Sequence, residues 1–251
     1  MKNGFLFIIC FFVGQWTFSQ IVNIEKERYQ TDTTGWKGSF DAGIALSKQA
    51  KQVFILSASA HVQYKSKRHL YLLLGSYDWI KSKEESFVHS GFVHFRYNYK
   101  MKKDWIRWEA FTQVQFNKAN GLKMRFLIGT GPRFKIMNFK YYKCYVGTLY
   151  LYEREKSIKD NQVLNQVRFS GYLSFTLHPK KYFEWISTTY YQPLVNNIHD
   201  YRIASENKLA FRFTKLFSMG ISFKANYDTR PPAGAVANLT YEFKNNFTLD
   251  F

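Results

Sequence analysis

The stretch Ile106-Arg107-Trp108-Glu109-Ala110-Phe111-Thr112-Gln113-Val114-Gln115-Phe116 alternates residue by residue. Ile106, Trp108, Ala110, Val114 and Phe116 fall on one face, and Arg107, Glu109, Gln113 and Gln115 on the other. A period of two with one apolar face is the mark of a β-strand rather than a helix. The next stretch repeats it: Leu122, Met124, Phe126, Ile128, Phe134 and Ile136 oppose Lys123, Arg125, Arg133 and Lys135. Further along, Tyr201, Ile203, Leu209, Phe211 and Phe213 oppose Arg202, Glu206, Lys208 and Arg212. At the end, Leu239, Tyr241, Phe243, Phe247, Leu249 and Phe251 oppose Thr240, Glu242, Lys244, Asn246, Thr248 and Asp250.

Working outward from these segments, the same reading predicts twelve strands, over 35–46, 53–64, 69–80, 87–98, 104–116, 122–136, 140–153, 163–177, 181–192, 199–213, 216–228 and 238–251. Charged or Gly/Pro/Asn clusters separate them, and no helical period intervenes, so the topology expected is an up-and-down antiparallel meander in one domain. The 251 residues include 25 Phe, 18 Tyr and 6 Trp, and this 20% aromatic content excludes a disordered chain despite a net charge of +18. A mean hydropathy of −0.35, with no long apolar run after the N-terminus, excludes a bundle of transmembrane helices.

The N-terminus reads as a cleaved secretory signal over residues 1–19. Lys2 precedes an apolar run from Phe5 to Val13, and the small residues Thr17 and Ser19 sit three and one before a cut at Gln20. Residues 20–34 form a short polar lead, and 35–251 the strand domain. Cys10 leaves with the signal. Cys144 then remains alone, so no internal disulfide forms, and its neighbours Tyr142, Tyr145 and Val146 suit an inert packed thiol.

Alternation alone does not say which face is enclosed, because a lipocalin-like barrel has the same pattern with its apolar face inside. Eight strands already make an interior that side chains just fill, so twelve strands closed around an apolar lumen would leave a void. The polar face is therefore expected inside and the apolar face in lipid, giving a transmembrane β-barrel of about twelve strands. Several strands have 12 or more residues, beyond the roughly 9–11 that a tilted strand needs to cross a bilayer. With both termini in the periplasm, Trp36, Trp105, Trp108 and Trp185 fall near the starts of upward strands and form an interfacial belt, with Trp79 at the opposite end of one. Long outer loops are expected over 154–162, 193–198 and 229–237, and tight inner turns over 178–180 and 214–215. Pro132, after Gly129-Thr130-Gly131, suggests a bulge.

The chain also resembles a known family. Asp200-Tyr201-Arg202-Ile203-Ala204-Ser205-Glu206 and Asn226-Tyr227-Asp228-Thr229-Arg230-Pro231-Pro232-Ala233-Gly234, followed by an aromatic terminal strand, are similar to the closing third of the salt-induced outer-membrane protein family, itself a domain of unknown function. His94-Phe95-Arg96-Tyr97-Asn98-Tyr99, Arg125 to Phe134, and Thr188-Thr189-Tyr190-Tyr191-Gln192-Pro193-Leu194 match in style. The resemblance implies an outer-membrane barrel and brings no catalytic residues. Phe247, Leu249 and Phe251, in phase at the C-terminus, look like the strand read by the barrel-insertion machinery, although no glycine precedes the aromatics.

Residues for catalysis are scarce. The histidines His61, His69, His89, His94, His178 and His199 show no short metal-ligand spacing, and His89 and His94 fall on opposite faces of one strand. His199, Ser205 and Asn207 are the residue types of an outer-membrane phospholipase but lie on one strand, and His199-Asp200 lacks a second acidic pair. The richer signal is the charged face. Arg96, Arg107, Glu109, Arg125, Arg133, Arg168, Arg202, Glu206, Lys208 and Arg212 are lumen candidates, either lining an anion-preferring path or knitting the barrel by ion pairs. Nucleic-acid binding is excluded by the spread of charge and by the signal. The expectation is a monomeric envelope barrel, structural or stress-related, without cofactor or catalytic activity. Its partners would be outer-membrane lipid and, during biogenesis, the insertion machinery. An anion pore and a membrane-embedded hydrolase are the alternatives.

Overall fold

The computed structural model describes residues 34–48, 52–82, 85–180, 182–214, 217–231 and 237–249. The expected signal 1–19, most of the lead 20–34 and Phe251 lie outside the described residues.

Twelve strands follow one another: β1 (Gly35–Lys48), β2 (Gln52–Lys65), β3 (His69–Ser82), β4 (Glu85–Lys100), β5 (Ile106–Asn117), β6 (Leu122–Asn138), β7 (Tyr142–Ser157), β8 (Val163–Lys180), β9 (Phe183–Leu194), β10 (Asn197–Arg212), β11 (Phe217–Asp228) and β12 (Leu239–Leu249). They form a single antiparallel sheet in sequence order, the meander expected from the period-two pattern. No ladder joins β1 to β12 among the described residues.

The sheet is strongly curled. Arg202 of β10 reaches Glu153 of β7 at 2.6 Å, and the Tyr172 hydroxyl of β8 reaches Glu109 of β5 at 2.7 Å. Backbones three strands apart in a flat sheet stand about 14 Å from one another, so both contacts require these faces to bend inward. The concave side holds Glu109, Glu153 and Asp228, each 0% exposed, whereas the convex side holds Val93, Ile128, Tyr150 and Leu173 at 47–62%. Buried charge with exposed large apolar groups inverts the pattern of a water-soluble domain.

The interior is not purely polar. Leu149, Tyr172, Tyr190 and Ala204 form a buried cluster with Phe111 packed against it, and Leu72 and Leu74 form a second with Phe92. Gly147 makes room for this arrangement: a Cβ there would stand 2.0 Å from Tyr172 Cε1. Gly131 permits close approach of β6 to β7, since its Cβ would fall 2.1 Å from the Thr148 carbonyl oxygen.

Three local expectations are corrected. Leu122, read as an outward residue with Met124, is buried inside, and Lys123 is exposed with its ammonium on Asn161. The β6–β7 register shifts between Leu122 and Met124, which reverses the side on which the residue before the bulge points. Pro132 marks no bulge: it pairs with Trp108 in an unbroken β5–β6 register, and the bulge lies beyond it, between Lys135 and Met137. The contrast in loop length survives chiefly at 229–238, because β7 runs on to Ser157 and β9 to Leu194, leaving two residues before β10. Below, the end at which β1 begins is proximal and the opposite end distal.

Candidate functional site

The lumenal charges assemble into two groups. The distal one centres on Glu153. Its carboxylate meets Arg125 at 2.8 Å, Arg168 at 3.1 Å and Arg202 at 2.6 Å. Glu155, two residues further on the same face, is bound by Arg125 and by Arg202. Arg202 also donates from Nε to Asp228 at 2.7 Å, and Arg168 to Asp200 at 2.9 Å. These arginines are 1–4% exposed. Burying so many charges costs several kcal/mol per ion and is sustained only when each guanidinium finds carboxylates in good geometry.

Local structure sets these positions. In the β6–β7 ladder Arg125 lies opposite Glu155, and in the β10–β11 ladder Arg202 lies opposite Asp228. Asp200 arrives by another device. The β9–β10 register breaks between Asn197 and Tyr201, opposite Pro193, which has no N–H to offer the ladder, and Asp200 sits within the extra residues, aimed at Arg168. The Tyr201 backbone is fixed in turn by Thr229, which accepts its N–H on Oγ1 at 2.9 Å. The segments that carried the family resemblance, Asp200-Tyr201-Arg202 and Asp228-Thr229-Arg230, are thus the ones that close the distal network.

The proximal group centres on Glu109. It is approached by Arg96 at 3.5 Å and Arg133 at 3.4 Å, and it accepts the Tyr172 hydroxyl at 2.7 Å. Arg133 lies over the rings of Tyr145 and Tyr172, and Arg96 over Phe111. His94 stacks on Phe111 and places Nδ1 2.8 Å from Gln113 Oε1, while the Gln113 amide reaches Gln115. The two groups and the aromatic cluster lie on the concave side of β4 to β11.

Of the lumen candidates, Arg96, Glu109, Arg125, Arg133, Arg168 and Arg202 are buried and paired as described. Arg107 and Glu206 are half-buried on the same face. Lys208 and Arg212 share that face but are exposed at the proximal end, outside both networks. Sequence reading missed Glu153, Glu155 and Tyr172. The charge pattern of β7 is masked there, because Leu149 and Leu151 occupy the inner face while Tyr150, Tyr152 and Arg154 point out. The available signal was pairwise: placing Arg125 opposite Glu155 in a β6–β7 hairpin brings opposite charges together.

The residues of a hydrolase do not converge. Ser205 shares a hydrogen bond with Thr189 at 2.9 Å and accepts one from Asn207 at 3.2 Å. His199 lies six residues away along β10, about 20 Å in an extended strand, and Asp200 is held by Arg168. Among the described residues, no group of three or more His, Cys, Asp or Glu is placed to hold a metal ion. On β12, Phe247 and Leu249 are exposed on the convex side, with Phe247 stacked on Phe217.

A family profile described as "Protein of unknown function, DUF481" matches residues 40–251, nearly the whole strand domain. The chain belongs to this family. The DUF481 chain is similar in structure to a solved porin, NanC, with 10% identity and a TM-score of 0.45, covering 86% of this chain and 98% of that one. It is similar also to a solved bacterial polysaccharide outer membrane secretin, with 9% identity and a TM-score of 0.44, covering 85% and 91%. No curated protein matches the sequence.

Proposed function

We propose that this DUF481 protein is a monomeric integral outer-membrane β-barrel of the cell envelope, without catalytic activity, whose lumen is closed by its own ion pairs. The single observation that carries the reading is the inversion of burial: paired arginines and carboxylates inside, large apolar side chains outside. In hydrocarbon every backbone N–H and C=O needs an internal partner, so β1 and β12 meet edge to edge in the membrane, as an antiparallel meander of even strand number permits. Export by residues 1–19 and insertion directed by Phe247, Leu249 and Phe251 complete the pathway to that site, with lipid the lasting partner.

The lumen bears on the choice between a pore and a wall element. Arg96, Arg125, Arg133, Arg168 and Arg202 suggest an anion path when read singly, yet each faces a carboxylate, and the Arg202–Glu153 contact bridges strands three apart. A paired, crossed interior favours a closed barrel over a conducting one. Planar-bilayer recordings of the refolded protein test this: the expected trace is flat, and regular conductance steps overturn the closed reading. The resemblance to the salt-induced family supports a role in envelope stress, measured as growth of a deletion strain in high salt.

A further inference from the structure

Outside both networks, the proximal end holds a recess of about 1000 Å³ lined by Lys140, Tyr141, Tyr182 and residues of β8 to β12. Among the described residues, four basic side chains line it, Lys140, His178, Lys208 and Arg212, against one acid, Glu184. Among the described residues no carboxylate lies within ion-pair distance of Lys208 or Arg212, in contrast to the paired arginines deeper in the lumen. The recess is carved by small residues. In one cross-strand row Glu184 faces Ala210, Ala210 faces Gly220 and Gly220 faces Asn246. A Cβ on Gly220 would stand 2.5 Å from Asn246 Oδ1, so the glycine leaves the amide its place at the wall. Further along β8, β9 and β10, Tyr172, Tyr190 and Ala204 are packed in the buried aromatic cluster.

We propose that this recess is a binding site for a soluble, extended, multiply charged anion reached from the proximal, periplasmic side. Lys208 and Arg212 are four residues apart on one face, roughly 13 Å along the strand, which suits several charges on one solute better than a single phosphate. Their ammonium and guanidinium groups form charge-assisted hydrogen bonds, Asn246 supplies a neutral donor, and Glu184 weakens the field and disfavours the most highly charged ligands. The volume is at the upper end of small-molecule sites. The inference goes beyond the closed barrel: it rests on the same orientation in the membrane but not on whether the lumen conducts. A conductance result and a binding result therefore fail separately.

The test is calorimetric titration of the full chain, refolded in phosphatidylcholine nanodiscs, with tripolyphosphate, and with the neutral sugar maltotriose as control. Expected are saturable binding of tripolyphosphate that weakens with added salt, and no binding of maltotriose. Lys208→Ala and Arg212→Ala each weaken binding about tenfold, the value of one charge-assisted contact. Glu184→Gln tightens it, a gain that misfolding cannot imitate. Absence of saturable heat up to about 10 mM ligand, the range of the weakest specific complexes, overturns the proposal. So does equal binding by the Lys208 and Arg212 variants. Variant-sensitive capture of phosphatidylglycerol in anionic nanodiscs, without competition by tripolyphosphate, makes the occupant a lipid headgroup and also overturns it.

Discussion

Replacing Arg202 by alanine is the sharpest probe of the distal network. Arg202 holds Glu153, Glu155 and Asp228 simultaneously, at 2.6, 3.1 and 2.7 Å. Arg125, Arg168 and Arg202, with the exposed Arg230 3.8 Å from Asp200, match the four carboxylates Glu153, Glu155, Asp200 and Asp228, and losing Arg202 leaves one negative charge in excess. Among the described residues, the carboxylate of Asp228, 0% exposed, then keeps the Arg230 backbone N–H at 2.9 Å. Removing one partner from a buried pair costs about 3–5 kcal/mol, mostly because the charge left behind remains desolvated. The assay is denaturant unfolding of the protein in lipid vesicles, followed by tryptophan fluorescence, beside bilayer recordings of the same sample. Arg202→Ala is expected to lose stability in that range and to show a leak, since the alanine leaves space where a guanidinium crossed the lumen. The pairing predicts the sign of the coupling as well: Asp228→Asn in the Arg202→Ala background recovers part of the loss, because it removes the uncompensated charge. A loss below about 1 kcal/mol, the value of an exposed ion pair, together with a silent bilayer, refutes the idea that this network closes the barrel.

Other positions give separate checks. Gly147→Ala places a methyl against the Tyr172 ring and is expected to cost about 1–3 kcal/mol, read by the same unfolding assay, with Gly75→Ala as the tolerated control because its nearest neighbour stands 3.7 Å away. Tyr172→Phe removes only the hydroxyl that Glu109 accepts, and about 1.5–3 kcal/mol is expected from loss of a hydrogen bond to a charged group. Ile128→Arg, near the middle of β6 on the convex side, is expected to lower stability in lipid by about 2–4 kcal/mol, and an unchanged transition would place that face in water. Cys144 is buried, so maleimide labelling of the folded protein is expected to be slow and to become complete on unfolding.

The strands were legible because each needs only its own alternation, and twelve of them fall in sequence order without a crossover. Their ends were less so. β7 extends four residues past the expected 153 because Arg154-Glu155-Lys156-Ser157 carries no apolar period, although Glu155 is among the most important residues of the lumen. Faces were misread where a bulge intervenes: Leu122 follows the outward apolar series by count and yet points inward. The network itself was half visible. Arg125, Arg168 and Arg202 stand out against apolar neighbours, but their partnership with Glu153 depends on curvature, a property of the whole sheet that no single strand encodes. Asp200 owes its inward aim to the irregular pairing opposite Pro193, again a matter between two strands.

The order of the ion pairs along the chain bears on how such a protein enters a membrane. Arg96 meets Glu109 across the β4–β5 hairpin, Arg125 meets Glu155 across β6–β7, and Arg202 meets Asp228 across β10–β11. Each of these hairpins brings its own countercharge. Delivered two strands at a time, each of these three hairpins would carry one guanidinium already beside a carboxylate, whereas Arg133 and Arg168 wait for partners on neighbouring hairpins.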